Sequence, residues 1–140
     1  INKVLDSGKA AEKFEMMVGA LGGSKSFLST YEKDLSHNMY EEDINLGKDG
    51  WIKEMKTREL GLLLIELGGG RKQVDDKINY HVGYENVLGI GSVIETSTPV
   101  IKVLAKSKDD FDRVKELIKN CFIISDKEIK KPSNIYEVIK

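Results

Sequence analysis

A helical pattern of apolar residues opens the chain. We expect a helix that begins after Ser7, as its N-cap, and runs to about Leu21. Its apolar face is formed by Ala10, Phe14, Met17, Val18 and Leu21. Gly22 and Gly23 follow, and they can supply the left-handed conformation that commonly ends a helix. Positions 24–47 keep no lasting periodicity, so they are predicted to form a connector with a short turn or two.

The pattern changes at Gly50. Trp51, Ile52 and Met55 predict a strand, after which Thr57 fits the N-cap of a second helix. The apolar residues of this helix are Leu60, Leu63, Leu64 and Leu67, with Leu62 and Ile65 extending the face. Because a helix that is apolar on most sides is normally buried, we expect burial of this one. The triplet Gly68–Gly70 is predicted to end it.

The second half of the chain contains the clearest helix. Positions 71–92 are predicted as loops and short strands, and Val100–Ala105 as a strand. Ser107 and Asp110 approximate a capping box at the start of the following helix, with Asp in place of the usual Glu. The apolar stripe of that helix is Phe111, Val114, Ile118 and Cys121. Phe122–Ile124 predicts another short strand.

Composition and charge narrow the class of protein. Of the 140 residues, 40% are apolar and 32% charged, a balance typical of globular proteins. The 22 basic and 23 acidic residues give a net charge of −1, so we expect no strong attraction to nucleic acid or to an anionic membrane. Cys121 is the single cysteine, which fits a reducing cytoplasm. No apolar run is long enough to span a bilayer and no signal peptide is visible, and the start at Ile1 indicates a fragment of a longer protein.

The segment Gly68–Lys72 raises the question of a phosphate-binding loop. Phosphate loops precede the N-terminus of a helix, where free N–H groups point at the anion. This triplet follows a predicted helix, and Lys72 is not followed by Ser or Thr, so the P-loop spacing is absent. We therefore predict a helix stop followed by a flexible loop.

Other candidate groups have simpler interpretations. His37 and His81 lack the partner spacing of a zinc site and are predicted to lie on the surface or in loops. Asp75 and Asp76 could hold a cation weakly, but solvated loop residues are the default. Cys121 is predicted to be a small core residue. We find no catalytic, substrate-binding or metal-binding residue, and no cofactor is expected.

Several ordered blocks of the chain share the motifs of one family. Ser7–Phe14 reads SGKAAEKF, Asp49–Gly61 carries DGW and TRELG, Leu67–Arg71 reads LGGGR, and Asp76–Gly83 reads DKINYHVG. These blocks resemble the pyrimidine nucleoside (thymidine) phosphorylases. The sequence departs from the family pattern at Asn79, Ser97 and Leu104.

The resemblance implies an α+β fold in which residues 1–38 are the terminal helix and connector of a preceding large α/β domain. Residues 39–140 would be the C-terminal domain, a hammerhead-like, barrel-sandwich-related domain of mixed strands with two helices. Family enzymes are homodimers that reversibly convert thymidine or uridine and phosphate to free base and pentose 1-phosphate. Their catalytic motifs have no counterpart in this chain. We expect this part to be inactive by itself and to support cleft closure, with Gly68, Gly69, Gly70 and Arg71 as the interdomain or lid loop and the remainder of the enzyme chain as partner.

Three alternatives remain open at this point. A lipoyl-like or biotin-like carrier domain would need a modifiable lysine at an exposed turn, and Met55–Lys56 resembles part of such a sequence. A structural or regulatory module without a partner enzyme is a second alternative. The archaeal nucleotide phosphorylases share the early SGKA and EKF positions, although the GGGR block fits the bacterial nucleoside enzymes better.

Overall fold

The computed structural model describes residues 1–34 and 39–133. The chain divides into two units, Ile1–Asn38 and Met39–Lys140. The described residues form five helices and two three-stranded antiparallel sheets, so the protein is α+β.

The first unit is helical in its described part. Its elements are α1 (Asn2–Asp6), α2 (Lys9–Ala20) and α3 (Phe27–Asp34). The predicted first helix is confirmed as α2, but its N-cap is Gly8 (φ 75°) and the prediction for Ser7 is wrong. Ser7 instead ends α1, and its Oγ donates to the Val4 carbonyl oxygen at 3.2 Å.

A helix also stands where a connector was predicted. The N-terminus of α3 is held by Glu15 of α2, whose Oε1 accepts the Leu28 N–H at 3.0 Å. The Phe27 ring lies 5.9 Å from the Phe14 ring and 6.1 Å from the Tyr31 ring. These contacts join α3 to α2. Because they are made between two helices, the periodicity of the α3 sequence does not show them.

The first unit leaves its apolar side chains uncovered. None of the side chains in residues 1–33 is buried. The exposed large apolar residues are Ile1, Val4, Leu5, Phe14, Met16, Met17, Leu21, Leu28 and Tyr31. An amphipathic helix gains most of its stability by burying its apolar face, so α2 and α3 present a face that their own unit does not use.

The second unit contains both sheets and the hydrophobic core. Its elements are β1 (Tyr40–Asn45), β2 (Gly50–Met55), α4 (Thr57–Glu66), β3 (Gly83–Glu85), β4 (Val93–Ile94), β5 (Pro99–Ala105), α5 (Lys108–Lys119) and β6 (Phe122–Ser125). One sheet has the order β1-β5-β3 and the other the order β4-β2-β6, and every pair is antiparallel. The central strands β2 and β5 are two of the strands that the sequence predicts.

The strand β1 was not predicted, because its residues are mostly polar. It forms by pairing with β5 along its whole length, from Tyr40 opposite Ala105 to Ile44 opposite Ile101. Ile44 is fully buried and fixes the inward face of the strand. The strand therefore depends on a partner about 60 positions away, and the local sequence pattern cannot show it.

Helix α5 agrees closely with its prediction. Ser107 is the N-cap and its Oγ accepts the Asp110 N–H at 3.2 Å, while the hydroxyl donates to the Asp110 carboxylate at 2.8 Å. All four residues of the predicted stripe are buried. They belong to a core formed by Ile44, Ile52, Leu60, Leu67, Val82, Ile94, Val100, Ile101, Val103, Ala105, Phe111, Val114, Ile118, Cys121 and Phe122.

Helix α4 differs from its prediction in two respects. Its N-cap is Lys56 without a side-chain hydrogen bond, so the prediction that Thr57 is the cap is wrong. The Lys56 N–H donates to the Cys121 carbonyl oxygen at 2.9 Å, which ties the end of β2 to the start of β6 and lets the helix begin one residue earlier. Leu60 and Leu67 are buried as expected, but Leu62 is 46% exposed because it lies on the side of the helix away from the core.

Candidate functional site

The glycine triplet after α4 is a helix stop, as predicted. Gly68 adopts a left-handed conformation (φ 96°), and its N–H donates to the Ile65 carbonyl oxygen at 2.9 Å. The Gly69 N–H donates to the Leu64 carbonyl oxygen at 2.9 Å. These two bonds form a Schellman motif, which satisfies carbonyl groups at the C-terminal end of a helix. Two of the N–H groups of the triplet are therefore occupied, and the nearby helix end is the negative end of the dipole, so this turn is no phosphate cradle.

Gly69 and Gly70 are glycines for a different reason from Gly68. A Cβ on Gly69 would lie 2.8 Å from Leu64 Cδ1, and a Cβ on Gly70 would lie 2.7 Å from Ile65 Cγ1. Both glycines therefore pack closely against the last turns of α4, and neither has a positive φ. Of the three glycines that are predicted to end the helix, only Gly68 therefore has the left-handed backbone of a helix stop.

The loop that follows, Gly68–Asn79, carries several hydrogen bonds of its own. Asp76 Oδ2 accepts the N–H groups of Lys72 and Gln73, each at 2.9 Å. The Asp76 N–H donates to the Gln73 carbonyl oxygen at 3.2 Å, and the Asn79 N–H donates to the Gly68 carbonyl oxygen at 2.8 Å. The N–H groups of Gln73 and Lys72 hold the pKa of the Asp76 carboxyl below its usual range. Asp76 is a loop residue, as expected, and its carboxylate also takes part in the loop's own hydrogen bonds.

The loop exposes a cation and an apolar side chain, and a second exposed apolar side chain follows it. Arg71 is exposed, whereas Lys72 Nζ lies 2.7 Å from Glu66 Oε1 in a surface ion pair. Val74 is 88% exposed and Tyr80 is 81% exposed. Single exposed apolar residues are common on protein surfaces, but here Val74 lies in the same loop as the exposed Arg71, and Tyr80 directly follows that loop.

Contacts with the rest of the second unit hold helix α4, and the loop begins at the end of this helix. The Tyr84 hydroxyl of β3 donates to the Leu60 carbonyl oxygen of α4 at 3.1 Å, and burial raises the pKa of Tyr84. Leu60 and Leu67 anchor the same helix in the core. The contact of Tyr84 cannot be inferred from the sequence, since its partner is a backbone carbonyl that becomes a neighbour only when the chain folds.

The other candidate residues that the structure describes are not brought together into one site. His81 is exposed and its N–H donates to Asn79 Oδ1 at 3.0 Å, while His37 lies outside the described residues. Cys121 is buried, its thiol donates to the Leu117 carbonyl oxygen at 3.3 Å, and burial raises the pKa of the thiol. Lys56 stands at a strand-to-helix junction and not at a hairpin tip, so the geometry expected of a carrier lysine is missing.

The described ranges, 1–34 and 39–133, contain no group of three His, Cys, Asp or Glu side chains that could hold a metal ion, and no buried polar or charged side chain. A groove of about 860 Å³ runs along Leu46–Asp49 and the end of α5. Its Asp49 carboxylate is occupied by Thr96, which donates its N–H at 2.6 Å and its hydroxyl at 2.9 Å.

One further finding concerns the membrane. Among the helices in the described part of the chain, none has the length and apolar character needed to cross a bilayer.

A comparison with protein families identifies the second unit. Residues 51–125 match the family model described as the pyrimidine nucleoside phosphorylase C-terminal domain, and this match covers more than half of the 140 residues. It extends from β2 through α4, the glycine triplet and α5 to the last residue of β6. The resemblance indicated by the sequence motifs is confirmed. The chain therefore belongs to the pyrimidine nucleoside phosphorylase family and carries the C-terminal domain of that family.

Proposed function

We propose that this chain is part of an enzyme that reversibly converts a pyrimidine nucleoside, thymidine or uridine, and phosphate to the free base and pentose 1-phosphate. The observation that carries this proposal is the family match over residues 51–125. The enzyme is then a pentosyltransferase of nucleoside salvage. We place it in the cytoplasm, a reducing compartment that suits the buried free thiol of Cys121.

The domain itself is proposed to be non-catalytic. Phosphorolysis requires a cationic cradle for phosphate and groups that stabilise an oxocarbenium-like centre. The glycine triplet lies at the wrong end of a helix for the first task, and the described residues offer no buried polar group for the second. The catalytic residues would then be contributed by the preceding domain of the same enzyme.

The first unit is proposed to belong to that preceding α/β domain. The support is its uncovered apolar face, which includes Phe14 at 49%, Met17 at 56% and Leu21 at 87% exposure. An apolar helix face is normally covered by another part of the protein, which removes it from water. The second unit is proposed to be related to the hammerhead or barrel-sandwich domains, and the complete enzyme to be a homodimer.

The Gly68–Asn79 loop is proposed to help close the substrate cleft against the preceding domain. It combines a fixed starting point on α4 with an exposed cation, Arg71, and an exposed apolar residue, Val74. When a cleft closes, an exposed cation and an exposed apolar side chain can both form contacts with the opposite wall. Such closure excludes water from the reaction site.

The loop's role can be tested by replacing Arg71 in the complete enzyme. We expect Arg71→Ala to lower kcat/KM for thymidine and uridine phosphorolysis. The matched control is Arg113→Ala, an exposed arginine of α5 that pairs with Asp110 on the same helix, and it should leave kcat/KM unchanged. Equal kcat/KM for wild type and Arg71→Ala would contradict the proposal that this loop helps to close the cleft.

The non-catalytic role can be tested by ligand binding. Isothermal titration calorimetry of the 140-residue chain with thymidine, uridine and inorganic phosphate should show no binding up to about 1 mM, the upper end of typical KM values. The complete enzyme, titrated in parallel, should bind the same ligands. Binding of any of the three by the isolated chain would contradict the proposal.

A further inference from the structure

We propose that Asp76 is the positioning residue of the Gly68–Asn79 loop: its carboxylate holds the turn Gln73–Asp76 in one conformation and so fixes where Arg71 and Val74 are presented. This inference rests on the proposed role of the loop in cleft closure. Asp76 acts through the backbone of its neighbours and is not itself placed against substrate.

The hydrogen bonds show how one side chain determines the shape of the turn. The Asp76 N–H donates to the Gln73 carbonyl oxygen, which makes Gln73–Asp76 a β-turn with Val74 and Asp75 at its centre. One oxygen of the Asp76 carboxylate receives two N–H groups, those of Lys72 and Gln73. Hydrogen bonds to a charged acceptor are stronger than bonds between neutral groups, so these two bonds should be stronger than the backbone–backbone bonds of the loop.

The position of Val74 agrees with this interpretation. A mobile, solvated tip would normally be built from small polar residues. Here the tip residue is Val74, a β-branched apolar residue that is 88% exposed. Two hydrogen bonds between Gln73 and Asp76, the residues that flank the centre of the turn, close this turn. Arg71 precedes Lys72, whose N–H is held by the carboxylate, and Gly68 at the start of the loop is joined to Asn79 at its end. Holding Lys72 and Gln73 therefore restricts the two residues that lie between Arg71 and Val74.

The neighbouring acid provides a matched control. Asp75 is exposed and stands next to Asp76 at the centre of the turn, where its side chain has no hydrogen bond comparable to those of Asp76. If charge alone mattered, removal of either acid would have the same effect. If position matters, Asp76→Ala should change the loop and Asp75→Ala should not.

Amide hydrogen exchange on the 140-residue chain tests the hold on the loop without any activity. We expect the Lys72 and Gln73 amides to exchange roughly tenfold faster in Asp76→Ala, since their acceptor is lost, and to be unchanged in Asp75→Ala. Asp76→Asn, which keeps an acceptor oxygen, should lie between wild type and alanine and serves as the readout if Asp76→Ala does not fold. Equal exchange in wild type, Asp76→Asn and Asp76→Ala would overturn the proposal.

Kinetics of the complete enzyme test the consequence for the reaction. Asp76→Ala should lower kcat/KM for thymidine phosphorolysis about as much as Arg71→Ala, and the double variant should lose little more than either alone. Asp76→Asn should restore most of the loss. Full additivity of the two variants would show that Asp76 does not act through Arg71. If Arg71→Ala has no effect, the closure role fails, and the exchange rates of Lys72 and Gln73 still decide whether Asp76 positions the loop.

Discussion

Lys115 of α5 donates to Glu42 of β1 across 2.9 Å, although the two residues lie 73 positions apart in the chain. The Tyr40 hydroxyl donates to the same carboxylate, and Lys115 Nζ also lies 5.2 Å from the centre of the Phe111 ring. The pair fastens α5 to a strand that precedes the stretch matched by the family model. The structural domain thus begins before residue 51, and β1 is one of its strands.

The coupling between Glu42 and Lys115 can be measured by a double-mutant cycle. We expect Glu42→Gln and Lys115→Met to show a coupling of about 0.5–1 kcal/mol in the free energy of unfolding, since both side chains are about one-third exposed. The control cycle uses the ion pair Glu116–Lys119. Its Glu116 side chain is 74% exposed, so the coupling of this pair should be smaller. Urea unfolding of the 140-residue chain gives both values, and a coupling no larger than the control would contradict the assigned contact.

The same cluster predicts a pH dependence. The hydroxyl of Tyr40, and next the ammonium group of Lys115, hold the pKa of Glu42 below its ordinary value of 4.5. A lowered pKa in the folded state stabilises the fold above the ordinary value, and this contribution is lost as the pH falls through the lowered pKa. Between about pH 5 and pH 3, Glu42→Gln should therefore lose less unfolding free energy than wild type. Parallel curves for the two proteins would show that Glu42 does not contribute.

Two glycines of one segment should respond in opposite directions to alanine. Gly68→Ala should destabilise the chain by about 1–2 kcal/mol, because the position requires a left-handed backbone (φ 96°). Gly61→Ala, in the exposed interior of α4 with no atom within 4 Å of the added Cβ, should stabilise it by about 0.5–1 kcal/mol. Thermal unfolding compares the two variants, and a stabilising Gly68→Ala would refute the C-cap assignment.

The two helix starts of the second unit provide another matched pair. Ser107→Ala removes a side-chain acceptor at the start of α5 and should cost about 1 kcal/mol of unfolding free energy. Thr57→Ala lies inside the first turn of α4, where Lys56 is the cap, and should change the unfolding free energy by less than about 0.5 kcal/mol. If Thr57→Ala costs as much as Ser107→Ala, then Thr57 caps its helix after all.

The sequence predicted those elements whose signals are local. Ser107, Asp110 and a regular apolar stripe define α5 within a few positions of each other, and Gly68 follows directly on the apolar face that it ends. Strand β1 was missed because Tyr40–Asn45 is polar and depends on the distant β5. Helix α3 was missed because its start is held by Glu15, a residue of the preceding helix.

The sequence predicted the position of the candidate loop but not its internal contacts. The order of the residues alone shows that Gly68–Gly70 ends the helix and belongs to a family motif. The tight packing of Gly69 on Leu64 and of Gly70 on Ile65 exists only in the folded helix, so the order of the residues does not show it. The role of Asp76 was likewise hidden, since its partners are backbone N–H groups that every residue except proline carries.

An assay of phosphorolysis tests the central claim most directly. The complete enzyme and the 140-residue chain are each incubated with thymidine or uridine and inorganic phosphate, and the released base and pentose 1-phosphate are measured. We predict phosphate-dependent release by the complete enzyme and none by the chain alone. Release by the chain alone would contradict its non-catalytic role, and a complete enzyme without phosphate-dependent release would contradict the proposed reaction.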